Sequence, residues 1–226
     1  MICWSCEKDA GGDMFCPSCG AIQPARAGLD QFAVVGLPRV YGLDVQELER
    51  RYKALSKKLH PDRFARADAR ARRVSLSRSV ALNQAWRTLR DPVRRGEYLL
   101  GLFGIEVGGE EGTRRTGSEG KGERFPVPQA LLLEVMELRE ALAEARAAGD
   151  QANIEALAAD VGSRRSRALE TVAAGFARTP PDLEGVAAAL VEVRYFDRFL
   201  EEVAAFAEAR EAAAELSSQN GRHHAS

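Results

Sequence analysis

The chain has 226 residues, 45% of them hydrophobic and 29% charged, with a formal net charge of −1. This composition excludes a disordered or collagen-like chain, and the length suits one or two modest domains. The near-zero charge hides a segregation: Asp44 to Arg95 holds 15 Lys and Arg against 6 Asp and Glu, and Pro128 to Leu216 holds 9 against 17. A basic module followed by an acidic one suggests two partners with different surfaces, the alternative being drift between solvated faces.

In chain order, the start Met1-Ile2-Cys3-Trp4-Ser5-Cys6 has no charged region leading into an apolar run. No export signal is expected, and a cytoplasmic location follows. All four cysteines lie in residues 1–26, as Cys3-x-x-Cys6 and Cys16-x-x-Cys19. Each pair can place two thiolates on one backbone turn, and two pairs complete a tetrahedral cage that suits structural Zn2+ and leaves no open position for substrate. Iron suits the same donors, and two disulfides are the alternative in an oxidising compartment. Gly20 permits the tight turn after Cys19. A segment this short cannot bury a useful core, so metal binding would supply its folding free energy.

Asp44 to Leu59 reads as a helix with Val45, Leu48, Tyr52, Leu55 and Leu59 on one face, and Asp44 with Glu47 fits a reciprocal N-terminal cap. Pro61 ends it. A second helix is expected over Ala67 to Arg90, burying Leu82, Ala85, Trp86 and Leu89, and a short third over Val93 to Phe103. Residues 105–126, rich in Gly and charge, read as a flexible linker. Residues 127–216 read as a three-helix bundle. Its stripes are Leu131, Val135, Leu138, Leu142 and Ala145; Ile154, Leu157, Val161, Ala168, Val172 and Phe176; and Val186, Leu190, Val193, Leu200 and Val203. Residues 217–226 read as a disordered tail. No segment sustains period-two alternation, so the fold class is all-α, with little sheet outside the N-terminus.

His60-Pro61-Asp62 lies between a basic helix and a second helix holding Leu82-Asn83-Gln84-Ala85-Trp86-Arg87. Residues 29–104 resemble a J-domain, the part of DnaJ-type co-chaperones that docks on a DnaK-type ATPase. The resemblance implies that Arg50, Arg51, Lys53, Lys57, Lys58 and Arg63 meet an acidic face of that ATPase. His60, Pro61 and Asp62 would then contact it near its interdomain junction and favour hydrolysis. The resemblance leaves hydrolysis to the partner and asks no nucleophile of this chain, so it is not expected to be an enzyme. A helix-turn-helix gripping DNA is the competing use of a basic helix, but it leaves the tripeptide and the acidic bundle unexplained, and no nucleic-acid or membrane partner is expected.

Phe32-x-x-x-Gly36-Leu37-Pro38 opens this module and Gly96-Glu97-Tyr98-Leu99-Leu100 closes it; Val135 to Glu140 and Val193 to Phe199 follow in the bundle. Together these are similar to the HscB family of iron–sulfur cluster co-chaperones. The resemblance implies that the bundle binds an IscU-type scaffold and presents it to an HscA- or DnaK-type chaperone, with the protein a monomer or weak dimer. Leu132, Leu133, Met136, Glu137, Glu140 and Tyr195 match the family's scaffold-binding face. The helical pattern places Leu132, Leu133 and Met136 beside the core stripe of their helix, and Tyr195 and Phe199 off that of theirs. Two departures stand out: the cysteine segment, similar to that of eukaryotic members, and the long Gly-rich linker. The other readings are a general J-domain adaptor for another client, and a metal or redox sensor working through the cysteines.

Overall fold

Four aspartates set the helix starts in the first half of the chain. In the computed structural model, which describes residues 1–108, 113–115, 124–125 and 127–223, Asp30 caps α1 (Gln31–Val35), Asp44 caps α2 (Val45–Leu59) and Asp68 caps α3 (Ala69–Arg90). Their carboxylates accept backbone N–H groups of Ala33, Gln46 and Arg70, each at 2.8 Å. These donors have no partner within the helix. Capping by Asp68 makes α3 begin two residues later than the expected Ala67. Glu47 does not complete a reciprocal cap with Asp44. It pairs with Arg50 at 2.8 Å and Arg51 at 2.7 Å, since charged donors outweigh a backbone amide. The carboxylate of Asp91 likewise accepts from Val93 and Arg94 in the first turn of α4 (Pro92–Leu102).

The chain divides into two units, Met1–Leu99 and Leu100–Ser226. In the first, Leu48 and Leu59 of α2 and Leu82, Ala85 and Leu89 of α3 are buried. Between these two helices Tyr52 stacks on Trp86 with ring centroids 4.7 Å apart, and its hydroxyl donates to Asn83. Val45, expected on this face, is exposed at the open first turn of α2. The Gln31 amide donates to the Tyr98 hydroxyl at 2.9 Å, beside the buried Phe32. A buried Arg95 guanidinium donates to the Leu89 carbonyl and lies 4.9 Å from the Tyr41 ring centre.

The second unit holds α5 (Gln129–Ala148), α6 (Gln151–Ala177) and α7 (Leu183–His223). Leu131, Val135, Leu138, Leu142 and Ala145 form the buried stripe of α5, as the periodicity predicts. Gly149 turns the chain in the left-handed region at φ 65°, and Asp150 caps α6. Phe199, expected off the core, is 1% exposed and belongs to it with Phe196. The apolar arc of α7 is wider than a single stripe because α7 packs against both α5 and α6. The segment read as a linker contains β1 (Ile105–Val107), β2 (Thr113–Arg115) and β3 (Arg124–Phe125), an antiparallel sheet in the order β1-β2-β3. Ile105 and Thr113 are buried there. Strands of two or three residues are too short to display alternation, and they leave the expectation of little sheet standing. The rest of that segment, residues 109–112, 116–123 and 126, lies outside the described residues. The expected tail is also corrected: α7 continues to His223. No proline interrupts it, and an established helix propagates one hydrogen bond per residue. Residues 224–226 lie outside the described part.

Candidate functional site

The histidine loop is built from the end of α2. His60 stops the helix at φ −55° and ψ 128°, and Pro61 opens a single 3-10 turn, Pro61–Phe64. The Asp62 amide donates to His60 Nδ1 at 3.3 Å, and the Arg63 amide donates to the His60 carbonyl at 3.0 Å. All of His60, Pro61, Asp62 and Arg63 are exposed, so the loop is shaped by its own backbone and presented to solvent. The basic residues divide into two groups. Arg50 and Arg51 are paired with Glu47, and Lys53 with Glu49 at 2.6 Å. The guanidiniums of Arg51 and Arg50 hold the Glu47 carboxyl below its ordinary range, and Lys53 does the same for Glu49. Lys57, Lys58 and Arg63, next to the loop, are exposed and make no ion pair among the described residues. The positive field is therefore concentrated at the loop end of the helix.

On α5 the side chains beside the core stripe face outward: Leu132 is 39%, Leu133 52% and Met136 57% exposed. Glu137 and Glu140 are exposed on the same helix. Tyr195 is placed differently. It lies on α7, half-buried against the bundle core, with the Arg198 guanidinium 6.0 Å from its ring centre. An exposed Leu-Leu-Met cluster accompanied by carboxylates has the character of a protein-binding surface.

The four cysteines converge. Their sulfurs lie within 4.8 Å of one another, with Cys3 to Cys19 and Cys6 to Cys16 both 3.7 Å apart. All four are free thiols. A tetrahedral ion with bonds of about 2.3 Å needs sulfurs about 3.8 Å apart, so the cage fits one. Gly20, at φ 73°, makes the turn after Cys19, and its amide donates to the Cys16 carbonyl at 2.8 Å. The Ser5 amide and the buried Gln23 side-chain amide donate to Cys3 Sγ at 3.3 and 3.2 Å. Burial raises the Cys3 thiol, but the backbone amides of Cys6 and Ser5 and the Cys16 and Cys19 side chains outweigh it and bring it down to about 6. Cys6 is favoured as thiolate by the Lys8 amide, yet burial and the three other sulfurs push it up to about 12. Four thiolates this close repel one another, and a bound cation offsets that repulsion.

Residues 127–204 match the family profile described as the HSCB C-terminal oligomerisation domain. Over 205 residues the chain is 31% identical to the iron–sulfur cluster co-chaperone protein HscB of Mus musculus, an alignment covering 89% of this chain and 80% of that protein. The chain belongs to the HscB family of iron–sulfur cluster co-chaperones. The HscB protein of Homo sapiens is 30% identical over the same length, with the same coverage. The crystal structure of human co-chaperone protein HscB superposes with a TM-score of 0.76 at 29% identity, covering 90% of this chain and 96% of that one. HscB from Vibrio cholerae gives a TM-score of 0.66 at 28% identity, covering 80% and 99%.

Sequence reasoning missed several residues that shape the sites. Ser75 and Ser79 donate to the Leu59 carbonyl, immediately before the histidine loop. Gln23 donates to a cysteine sulfur, and Arg78 of α3 donates to the carbonyls of Gln23 and Pro24. The i, i+4 spacing of the two serines was available as a signal. The Arg78 contacts span more than fifty residues and leave no local trace. Among the described residues no helix is long and apolar enough to cross a membrane.

Proposed function

We propose that this co-chaperone couples two partners: an IscU-type scaffold held by the acidic bundle, and an HscA- or DnaK-type ATPase engaged by the histidine loop. The observation that carries the reading is the joint presence, in an HscB family member, of an exposed His60-Pro61-Asp62 loop beside Lys57, Lys58 and Arg63, exposed and without an ion pair among the described residues, and of an exposed Leu132, Leu133, Met136 face with Glu137 and Glu140. The basic end of α2 steers an acidic chaperone surface into encounter. Pro61 fixes the loop backbone, which limits the entropy lost on docking. His60 and Asp62 then favour the chaperone's own hydrolysis; the nucleophilic chemistry stays in the partner. On the other side, apolar burial of Leu132, Leu133 and Met136 supplies affinity for the scaffold, while the carboxylates and Tyr195 set orientation. Arg50, Arg51 and Lys53 belong to the same docking helix.

The tetracysteine cage is read as a structural zinc site held by Cys3, Cys6, Cys16 and Cys19. Zinc supplies a closed four-coordinate crosslink in place of a core. Metal analysis of the purified chain separates zinc from iron.

Two measurements test the main reading. The partner's ATPase is assayed with wild type and His60→Gln, and undiminished stimulation by the variant rejects the docking role. Scaffold affinity is measured with Leu132, Leu133 and Met136 all changed to Ala. An expected loss of at least about tenfold follows from truncating three exposed anchors. Retained affinity would move the client surface elsewhere, as a general adaptor requires.

A further inference from the structure

The cysteine segment leans on α3 through three identifiable contacts. The Arg78 Nε–H donates to the Gln23 carbonyl at 2.6 Å, and its Nη2 donates to the Pro24 carbonyl at 3.1 Å. The Arg70 guanidinium sits 4.9 Å from the Trp4 ring centre. Both carbonyls that hold Arg78 belong to a strip of chain pinned from the other side by the cage. Trp4 Nε1–H donates to the Ile22 carbonyl at 2.6 Å, and Gln23 Nε2 donates to the Ala21 carbonyl and to Cys3 Sγ at 2.8 and 3.2 Å. Gln23 is buried, its amide committed to the sulfur, so the position of the strip depends on the position of Cys3.

The adjacent face of the same stretch of α3 holds the end of α2, just before the histidine loop. Ser75 and Ser79, flanking Arg78, both donate to the Leu59 carbonyl, at 2.8 and 2.9 Å. That carbonyl is one of the last of α2 and would otherwise lack a partner within the helix. Leu59 itself is buried, and the next residue is His60. A continuous line of hydrogen bonds and one helical turn therefore joins Cys3 to the residue that fixes where the loop starts.

We propose that Arg78 is a positioning residue that couples the filled four-cysteine centre to the histidine loop, making chaperone docking depend on metal occupancy. The proposal rests on the docking role assigned above. With the cage closed, the Gln23 and Pro24 carbonyls satisfy a guanidinium that burial strips of part of its water. When the cage opens, those acceptors leave, and a half-buried charge without partners is costly. The turn Ser75–Ser79 then loses the tether that the two Arg78 hydrogen bonds give it, and the two hydroxyls at the Leu59 carbonyl loosen with it. The class of signal that acts here is a thiol oxidant or a competing chelator, because either removes thiolates from the cage.

Hydrogen exchange on the full chain tests this, in reducing buffer, with metal bound and after chelation. Removing the metal is expected to speed exchange in residues 74–80 and 56–64 roughly tenfold, the equivalent of about one lost buried hydrogen bond. Arg78→Met should show the same speeding with metal still bound and metal content unchanged, and chelation should then add nothing. Stimulation of the chaperone ATPase should fall several-fold in both cases. Unchanged protection of residues 74–80 after chelation overturns the proposal, as does full additivity of Arg78→Met with chelation. Arg78→Lys, which keeps the charge but spans only one carbonyl, replaces Arg78→Met if that variant does not fold. If loaded wild type stimulates no ATPase, the docking role fails, while the exchange data still decide the coupling.

Discussion

The His60 side chain is 55% exposed, and among the described residues its imidazole meets only Asp62, accepting from that residue's amide and lying 3.5 Å from its carboxylate. Its removal takes away little packing. His60→Gln is therefore expected to leave the thermal midpoint within about a degree of wild type, as for other exposed positions, while ATPase stimulation is lost. A parallel fall in both would make the loop a structural element instead. Glu192 is the opposite kind of residue. It lines a cavity of the bundle with Glu134 of α5 and Arg164 and Arg167 of α6. Burial, with a smaller contribution from Glu134, raises its carboxyl above the ordinary range. A raised folded value means that the ionised form is the disfavoured one in the fold, so the bundle loses stability as pH rises through that range. Glu192→Gln should raise the midpoint at pH 7. The gain should vanish well below the ordinary glutamate value of about 4.3, where both states are protonated. A gain that persists at low pH would point to packing rather than charge.

At the level of the elements, α6 comes close to the start of α7 at a position without a side chain, Gly175. A Cβ on Gly175 would lie 2.5 Å from Val186 Cγ2 and 3.4 Å from the Asp182 carbonyl. Gly175→Ala is expected to cost about 1–3 kcal/mol through overpacking, read from the urea midpoint. Adding Val186→Ala should recover part of that loss, a coupling that distant sites do not show. This close approach was invisible in the sequence, where Gly175 is one small residue in an alanine-rich helix. The stripes that build the same helices were legible because each is local: Leu131, Val135, Leu138 and Leu142 declare a buried face by spacing alone. Phe199 was misplaced because a 41-residue helix packed on two neighbours buries an arc wider than one stripe. The three strands were missed because two or three residues carry no period.

Across the whole molecule the charge layout, the cysteine spacing and the exposed face of α5 were all readable in advance. What spacing could not supply was which charges are spent within the protein. Glu47 and Glu49 offset Arg50, Arg51 and Lys53, leaving Lys57, Lys58 and Arg63 to act at a distance. Chaperone docking should accordingly weaken as salt rises from tens to hundreds of millimolar, because screening shortens the reach of exposed charges to roughly 8 Å at physiological strength. Scaffold binding through Leu132, Leu133 and Met136 should respond much less. Titrations of each partner across a salt series check both, and equal slopes would contradict the division of labour. The tie between Arg78 and the carbonyls of Gln23 and Pro24 was equally out of reach, since hydrogen bonds from a side chain to distant backbone have no sequence signature.

The two tryptophans of the chain both fall in the first unit. Trp4 lies against the cysteine cage, its indole N–H given to Ile22 and its ring facing Arg70. Trp86 is stacked on Tyr52 between α2 and α3. The bundle has none. Indole emission thus observes the cysteine segment and the helix pair α2–α3, and is blind to the bundle. Exchanging Trp4 or Trp86 for Phe gives a chain with one emitter, and hence a separate optical channel for the cage and for the helix pair.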